Sequence, residues 1–480
     1  MEFNAPSLIS SNPQVDQAYR IAIGDVCGNI LPFQDGLLEA PAPVLLAGLD
    51  YNTPWTRDAA INVWNGVGLW LPEVSRNTLV SVLERGSNGA MIGGQYWDSI
   101  LWSVGAWAFY LYSGNRGFLR LALEATRNSL ARLEQEEFDP QYGLFRGPAV
   151  YGDGVAAYPD RYAQTNGSSS ILEWPAHHPV ERAPKGFGLP MMALSTNCVY
   201  YQAYRLAGAM AVDAGQRIDP SWSEKAQSLR ANIQKHFWNP QSGAFRYLVD
   251  RWGGCESQEG LGSSFALLFG VAEADQVGKV IENQVIPEAG IPCVWPNFER
   301  YASPEGMRFG RHAGTIWPPI QAFWAEAVAR AGRLDRFAHE FERLTRHIVR
   351  DAQCAEIYHP LTGEIYGGVQ EGGTGADGMQ WASCRRQTWS ATAYLRMIWL
   401  GLTGMRVSPE GAAFQPFLPP GLEDVFIQGL PYRGGRLDIH LRGQGNRLED
   451  FKRNGVSGRA FVPADITNTQ VLEIRLGGAS

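Results

Sequence analysis

The chain has 480 residues, 45% hydrophobic and 19% charged, with 16 Trp, 18 Tyr and 21 Phe; this excludes a disordered chain and a mini-protein and leaves one or two domains open. A net charge of -7, from 41 Lys+Arg against 48 Asp+Glu, offers no basic field for a phosphate backbone, so nucleic acid is excluded in favour of a neutral small molecule. A buried indole must find an acceptor for its N–H, so this many Trp point to surfaces that stack on flat or polyhydroxylated ligands.

The first residues, MEFNAPSLISSNPQ, carry no basic stretch followed by an apolar core, so no signal peptide is expected. Apolar residues at i, i+3, i+4 and i+7 then predict helices over Asp16 to Gly24, Arg57 to Leu71, Asn77 to Glu84, Tyr96 to Leu111, Arg116 to Glu134 and Leu194 to Val212. The same period predicts Trp222 to Phe237, Leu261 to Phe269, Ala274 to Asn283, Thr315 to Ala331, Leu334 to Arg350 and Arg386 to Leu402. Short turns such as Ser113-Gly114-Asn115 and Ala331-Gly332-Arg333 join some neighbours, with a Gly suited to a helix C-cap, while other connections are long and rich in Gly, Pro and Asn. Helices paired in this way predict a mainly α fold, an (α/α)6 toroid whose site lies where the long connections meet. Pro416 to Pro420 ends the helical pattern, and Val425 to Gly429, Arg436 to Leu441 and Val471 to Arg475 alternate as strands. The expected division is a barrel over residues 1–408 and a small β appendage over 409–480. The most apolar late stretch, Ala391 to Met405, is interrupted by Arg396, so no membrane span is expected. Six dispersed cysteines form no CxxC and no Cys/His pairing, which predicts reduced thiols in a cytoplasmic protein and no zinc site.

Acids and aromatics gather in the connections. Tyr51 to Asp58 brings Tyr51, Trp55, Arg57 and Asp58 to a helix start, where Thr56 would cap the helix or the group would offer a sugar a stacking face, a donor fork and an acceptor. Tyr96, Trp97 and Asp98 repeat the theme after two glycines. Asp153 stands between Gly152 and Gly154 beside Tyr151, apolar surroundings that would raise a carboxyl toward the range of a general acid; Asp160 and Glu173 are rivals for that role. His312 and Trp317 stand at another helix start. Glu356 and Glu364 are the candidate bases, followed by a Gly-rich run to Trp381.

Taken in order, these segments resemble the (α/α)6 glycoside hydrolases that include processing α-glucosidase I, mannosylglycerate and glucosylglycerate hydrolases and the C-terminal domain of glycogen debranching enzymes. Thr56-Arg57-Asp58 resembles the Arg-Asp motif that binds the non-reducing sugar, and Tyr96-Trp97-Asp98 the Trp-Asp sugar motif. Glu356 to Gly363, Glu-x-Tyr-x-Pro-x-Thr-Gly, is similar to the segment of the catalytic base and implies Glu356 rather than Glu364. Arg311-His312-x-Gly-Thr-x-Trp317-Pro resembles a helix start of debranching-type enzymes and related phosphorylases, and Leu430 to Gly434 the β appendage. The acid motif departs from the usual Gly-x-Asp-Asp/Asn-x-Pro-Arg by extra residues, which favours Asp153 while Asp160 and Glu173 stay open.

The resemblance implies an inverting, exo-acting α-glucosidase-type hydrolase of small oligosaccharides or glucosides, with Asp153 as general acid and Glu356 as general base. Tyr51, Trp55, Arg57, Asp58, Tyr96, Trp97, Asp98, Glu173, His312, Trp317 and Trp381 are the expected sugar contacts. No metal or organic cofactor is called for, the expected partner is a small carbohydrate, and no oligomeric state is implied. A phosphorylase, or an epimerase using His177, His178 and His312, is the alternative on the same fold.

Overall fold

The computed structural model describes residues 3–163, 168–372 and 375–478, so both extreme ends of the expected division lie outside it. Twelve α-helices of seven residues or more are found among the described residues. They are α1 (Pro13–Gly28), α2 (Thr56–Asn62), α3 (Pro72–Val80), α4 (Trp102–Ser113), α5 (Arg116–Glu137) and α6 (Leu194–Asp213), then α7 (Ser221–Phe237), α8 (Gly260–Leu268), α9 (Ala274–Asn283), α10 (Pro318–Arg330), α11 (Leu334–Asp351) and α12 (Thr388–Arg396).

Every predicted helical segment overlaps one of these, and the ends move for local reasons. Pro72 at the first helical position, where a missing N–H costs nothing, starts α3 early, and the chain beyond it pairs Leu83–Gly86 with Gly89–Ile92 as a hairpin instead of continuing the helix. Gly114 at φ 71° closes α4, and the Asn115 side chain accepts from the Phe118 N–H to open α5. Both α2 and α12 run on into π turns, Val63–Val67 and Met397–Leu402. Gly66 makes their packing feasible: a Cβ on it would lie 2.9 Å from the Trp399 ring.

The even-numbered helices touch in succession, α2 with α4, α4 with α6, α6 with α8, α8 with α10, α10 with α12, and α12 with α2. Helices α1, α5, α7 and α11 each pack against one or two of these. The difference is written in the side chains: α4 buries nearly its whole circumference, whereas α11 buries a stripe including Phe337, Glu340, Phe341, Leu344 and Ile348 and turns most of its other charged residues outward.

The strand-rich region is a six-stranded sheet of β1 (Ser7–Ser10), β2 (Asp424–Tyr432), β3 (Gly435–Gly443), β4 (Arg447–Arg453), β5 (Val456–Ser457) and β6 (Thr469–Gly477), ordered β1-β2-β3-β6-β4-β5. Only the β3–β6 pair is parallel. Alternation puts Val425, Ile427, Leu437, Ile439, Leu472 and Ile474 on one buried face, and β2 packs on the Gly68–Trp70 turn that follows α2. The three predicted strands are present. The expected division omits β1, whose Ser7 pairs with Gln428, a partner no local pattern reports. All six cysteines are free, and no helix among the described residues is long and apolar enough to cross a membrane.

Candidate active site

The connections that precede α2, α4, α6, α10 and α12 meet around a cavity of about 240 Å³. Its first wall is the start of α2. Thr56 does not cap this helix: its hydroxyl donates to Gly93 O at 2.9 Å, and the N-cap position falls to Trp55, whose φ of 44° is a strained conformation for so bulky a residue. Trp55 is 47% exposed, while Arg57 and Asp58 are buried.

Arg57 gathers carboxylates. Its Nη1 donates to Asp98 Oδ2 at 2.9 Å and to Val150 O at 3.2 Å, its Nη2 stands 3.8 Å from Asp153 Oδ2, and its Nε stands 3.7 Å from Asp58 Oδ2. One guanidinium cannot neutralise three acids. Burial pushes Asp58 up to about 8; Arg57 opposes the shift, and the charges of Glu356, Asp98 and Asp153 add to it. Burial likewise pushes Asp98 up to about 7 against the pull of Arg57.

Glu356, near the start of the connection after α11, is held on both oxygens. Tyr51 donates its hydroxyl to Oε1 at 2.8 Å, while Arg311 Nη2 at 2.7 Å and the Cys384 N–H at 3.1 Å donate to Oε2. Burial and the adjoining carboxylate push the Tyr51 hydroxyl far above its usual range, so it remains a donor. Arg311 is itself fixed: Nη1 donates to Gly367 O at 2.9 Å and Ala382 O at 3.0 Å, and its guanidinium lies 5.8 Å from the Trp317 and Trp381 ring centres. Of roughly four lone-pair positions on the carboxylate, one on Oε1 is left for a further donor such as water.

Asp153 is built differently. The expected desolvated acid is not found there: its side chain is 41% exposed, because the Gly-flanked turn lifts it to the cavity edge. Its neighbours are Arg57 and His312, whose Nε2 lies 3.4 Å from Asp153 Oδ1. His312 is buried against Trp317, ring centres 5.0 Å apart at 22°, and burial pushes it down to about 3, so it is neutral at physiological pH.

The cavity thus brings together Tyr51, Trp55, Arg57, Asp58, Asp153, His312, Trp317, Glu356 and Trp381. It does not bring Tyr96, Trp97, Asp98 or Glu173 to its wall. Trp97 is wholly buried and donates to Ala149 O at 3.0 Å, and Tyr96 stacks on Phe187 with ring centres 4.7 Å apart. Ala149 O holds the Trp97 indole, and Arg57 Nη1 joins Asp98 to Val150 O. Glu173 is exposed on the turn Ile171–Glu173, and Asp160 is exposed and accepts from Arg300 at 2.7 Å. Glu364 is exposed as well. Trp174 packs in the interior on His178, ring centres 4.2 Å apart, and the lining of the cavity includes neither His177 nor His178. Trp389 does line it. Gln95, Ser169, Ser170, Gln370 and Gln387 complete the wall without having been singled out in the sequence. Neutral polar residues have no spacing signature, and only the adjacency of Gln95 to Tyr96 and of Gln387 to a helix start offered a cue.

No curated protein matches the chain in sequence. Among solved structures, it is similar to a GH63 mannosylglycerate hydrolase from Thermus thermophilus in complex with glucose, at TM-score 0.57 and 14% identity over 79% of this chain and 100% of that one. A sialidase matches at TM-score 0.66 and 14% identity over 92% of this chain and 38% of its own, and a GH78 rhamnosidase of a Bacillus species at 0.57 and 14% over 99% and 44%. The chain therefore spans less than half the length of the last two, and likeness at this identity speaks for the fold alone. A family model described as the mannosylglycerate hydrolase MGH1-like glycoside hydrolase domain matches residues 99–390.

Proposed function

The chain belongs to the mannosylglycerate hydrolase MGH1-like glycoside hydrolase family, and from that premise we propose that it is an inverting, exo-acting α-glucosidase-type enzyme on small oligosaccharides or glucosides. The succession of contacts from α2 through α12 and back to α2 supports an (α/α)6 toroid as its frame, with residues 409–480 as a β appendage. Free cysteines support a reducing, cytoplasmic location, and the acidic chain a neutral carbohydrate partner rather than nucleic acid.

One observation carries the reading: two carboxyls of opposite character, Asp153 and Glu356, reach one cavity from separate connections. Glycoside hydrolysis requires such a pair. Asp153, half open at the cavity edge, gives its proton to the glycosidic oxygen as the bond to the anomeric carbon breaks, and the leaving group departs toward solvent. Glu356, buried and clamped by Tyr51 and Arg311, keeps the lone pair on Oε1 that takes a proton from the attacking water. The water oxygen replaces the glycosidic oxygen at the carbon, Asp153 is left ionised and Glu356 protonated, and proton exchange with solvent resets both, so that one water is consumed per bond cleaved. Asp58, Arg57 and Trp317 hold the sugar ring between them.

A panel of α- and β-linked disaccharides and glucosyl-polyols, with NMR of the anomer first released, tests this. Release of the β anomer from an α-glucoside supports inversion. Release of the α anomer, or bond cleavage that depends on added phosphate, overturns the reading in favour of a retaining enzyme or a phosphorylase.

A further inference from the structure

Two buried polar atoms beside Asp153 have no hydrogen-bond partner: His312 Nδ1 and Gln370 Oε1. Both residues are more than nine-tenths buried, and they come from different segments, His312 from the start before α10 and Gln370 from the strand Val369–Gly372. Both border Gly154, where a Cβ would lie 2.3 Å from Gln370 Oε1 and 2.7 Å from His312 Nδ1. The other ring nitrogen, Nε2, faces Asp153 Oδ1 at 3.4 Å. An imidazole with one nitrogen toward an amide oxygen and the other toward a carboxyl has its tautomer set by whichever partner demands a donor.

We propose that Gln370 fixes His312 as the Nδ1–H tautomer, so that the Nε2 lone pair faces Asp153 and holds that carboxyl in its protonated form. Gln370 and His312 are therefore positioning residues for the acid, and the inference rests on the reading of Asp153 as that acid. The charges around it explain the need. Arg57 Nη2 stands 3.8 Å from Asp153 Oδ2, the side chain is 41% exposed, and His312 Nε2 is the neutral group that faces its other oxygen. A hydrogen bond accepted from the neutral carboxyl favours the form that can protonate a leaving group. Stacking on Trp317 and burial keep the ring neutral, so it accepts this bond without becoming a competing cation. Once the proton has passed to the glycosidic oxygen, the carboxylate faces a lone pair and recovers a proton from solvent through its exposed edge.

The test joins spectroscopy to kinetics. In the protein labelled with ¹⁵N-histidine, the His312 ring, identified by the signals lost in His312→Asn, is expected to show the Nδ1–H pattern. Gln370→Leu removes the acceptor and is expected to switch the ring to Nε2–H, move the high-pH limb of kcat/KM down by about one unit and lower kcat about tenfold at unchanged KM. The substrate is the α-glucosyl disaccharide cleaved fastest; a dinitrophenyl glucoside, whose leaving group needs no proton, is expected to be spared. Gln370→Glu keeps an acceptor and is expected to restore the tautomer. An Nε2–H ring in the unmodified protein, or a high-pH limb that stays in place in Gln370→Leu, overturns the inference; if that variant does not fold, the spectrum of the unmodified protein decides alone. Failure of the underlying reading looks different: Asp153→Asn would retain full activity on the disaccharide whatever the tautomer.

Discussion

Helices α10 and α12 begin at one group of buried charges and end at another, and the two groups are built on opposite accounts. At the starts, Arg57 faces Asp58, Asp98 and Asp153 at once, and burial and mutual repulsion push Asp58 up to about 8 and Asp98 up to about 7. At the ends, Glu326 receives both Arg330 and Arg396. Burial would raise Glu326, but the two guanidiniums outweigh it and hold the carboxyl below its usual range. Arg396 also donates to Trp64 O at 3.2 Å and Asn65 Oδ1 at 3.3 Å and lies 4.4 Å from the Trp64 ring centre. The difference is one of balance: acids outnumber cations at the cavity, whereas two guanidiniums enclose one acid at the far ends.

Four substitutions break or sharpen that contrast. Glu356→Gln is expected to lower kcat by about 10²–10⁴ while sugar binding, read by calorimetry, is largely kept, since shape survives and the base does not. At the other end, Arg396→Met leaves Glu326 buried with a single partner and is expected to cost about 3–5 kcal/mol in urea unfolding, with activity per folded molecule unchanged.

Asp58→Asn probes the unbalanced group by pH. A carboxyl of about 8 in the folded chain and about 3.9 in the unfolded one binds more protons when folded, so its contribution favours folding at low pH and is lost as pH rises from about 4 to 8. The variant has no such loss. Its stability relative to the parent is expected to climb between pH 5 and 8 by at most about 1.4 kcal/mol per unit, and a flat difference would show that Asp58 is ionised throughout. The smallest effect is expected from Arg311→Lys. It loses the guanidinium fork that joins Glu356 to Gly367 O and Ala382 O, so kcat should fall about tenfold with little change in KM.

Much of the frame was legible because helix period is a local property. Every predicted helical segment overlaps a helix, and α9 spans Ala274–Asn283 as read from its pattern. Turn chemistry was legible where it depends on neighbours, as at Gly114. The site was legible as a set of connections, since Tyr51, Arg57, Asp58, Asp153, His312 and Glu356 stand in segments chosen for their acids and aromatics and all reach one cavity. Exposure within those segments was not. Trp97 and Trp389 both stand near helix starts, yet Trp97 bonds inward to Ala149 O while Trp389 lines the cavity.

The sequence by itself therefore determined which stretches are helical, which connections reach the cavity and, through family resemblance, membership among glycoside hydrolases. Tertiary structure alone decided which indoles meet a ligand, that β1 joins the far end of the chain, and that Asp153 is open while Asp58 and Asp98 are buried. The reason is physical. Periodicity is set by residues within one or two turns of each other, whereas burial and electrostatic potential are sums over groups that only folding brings together.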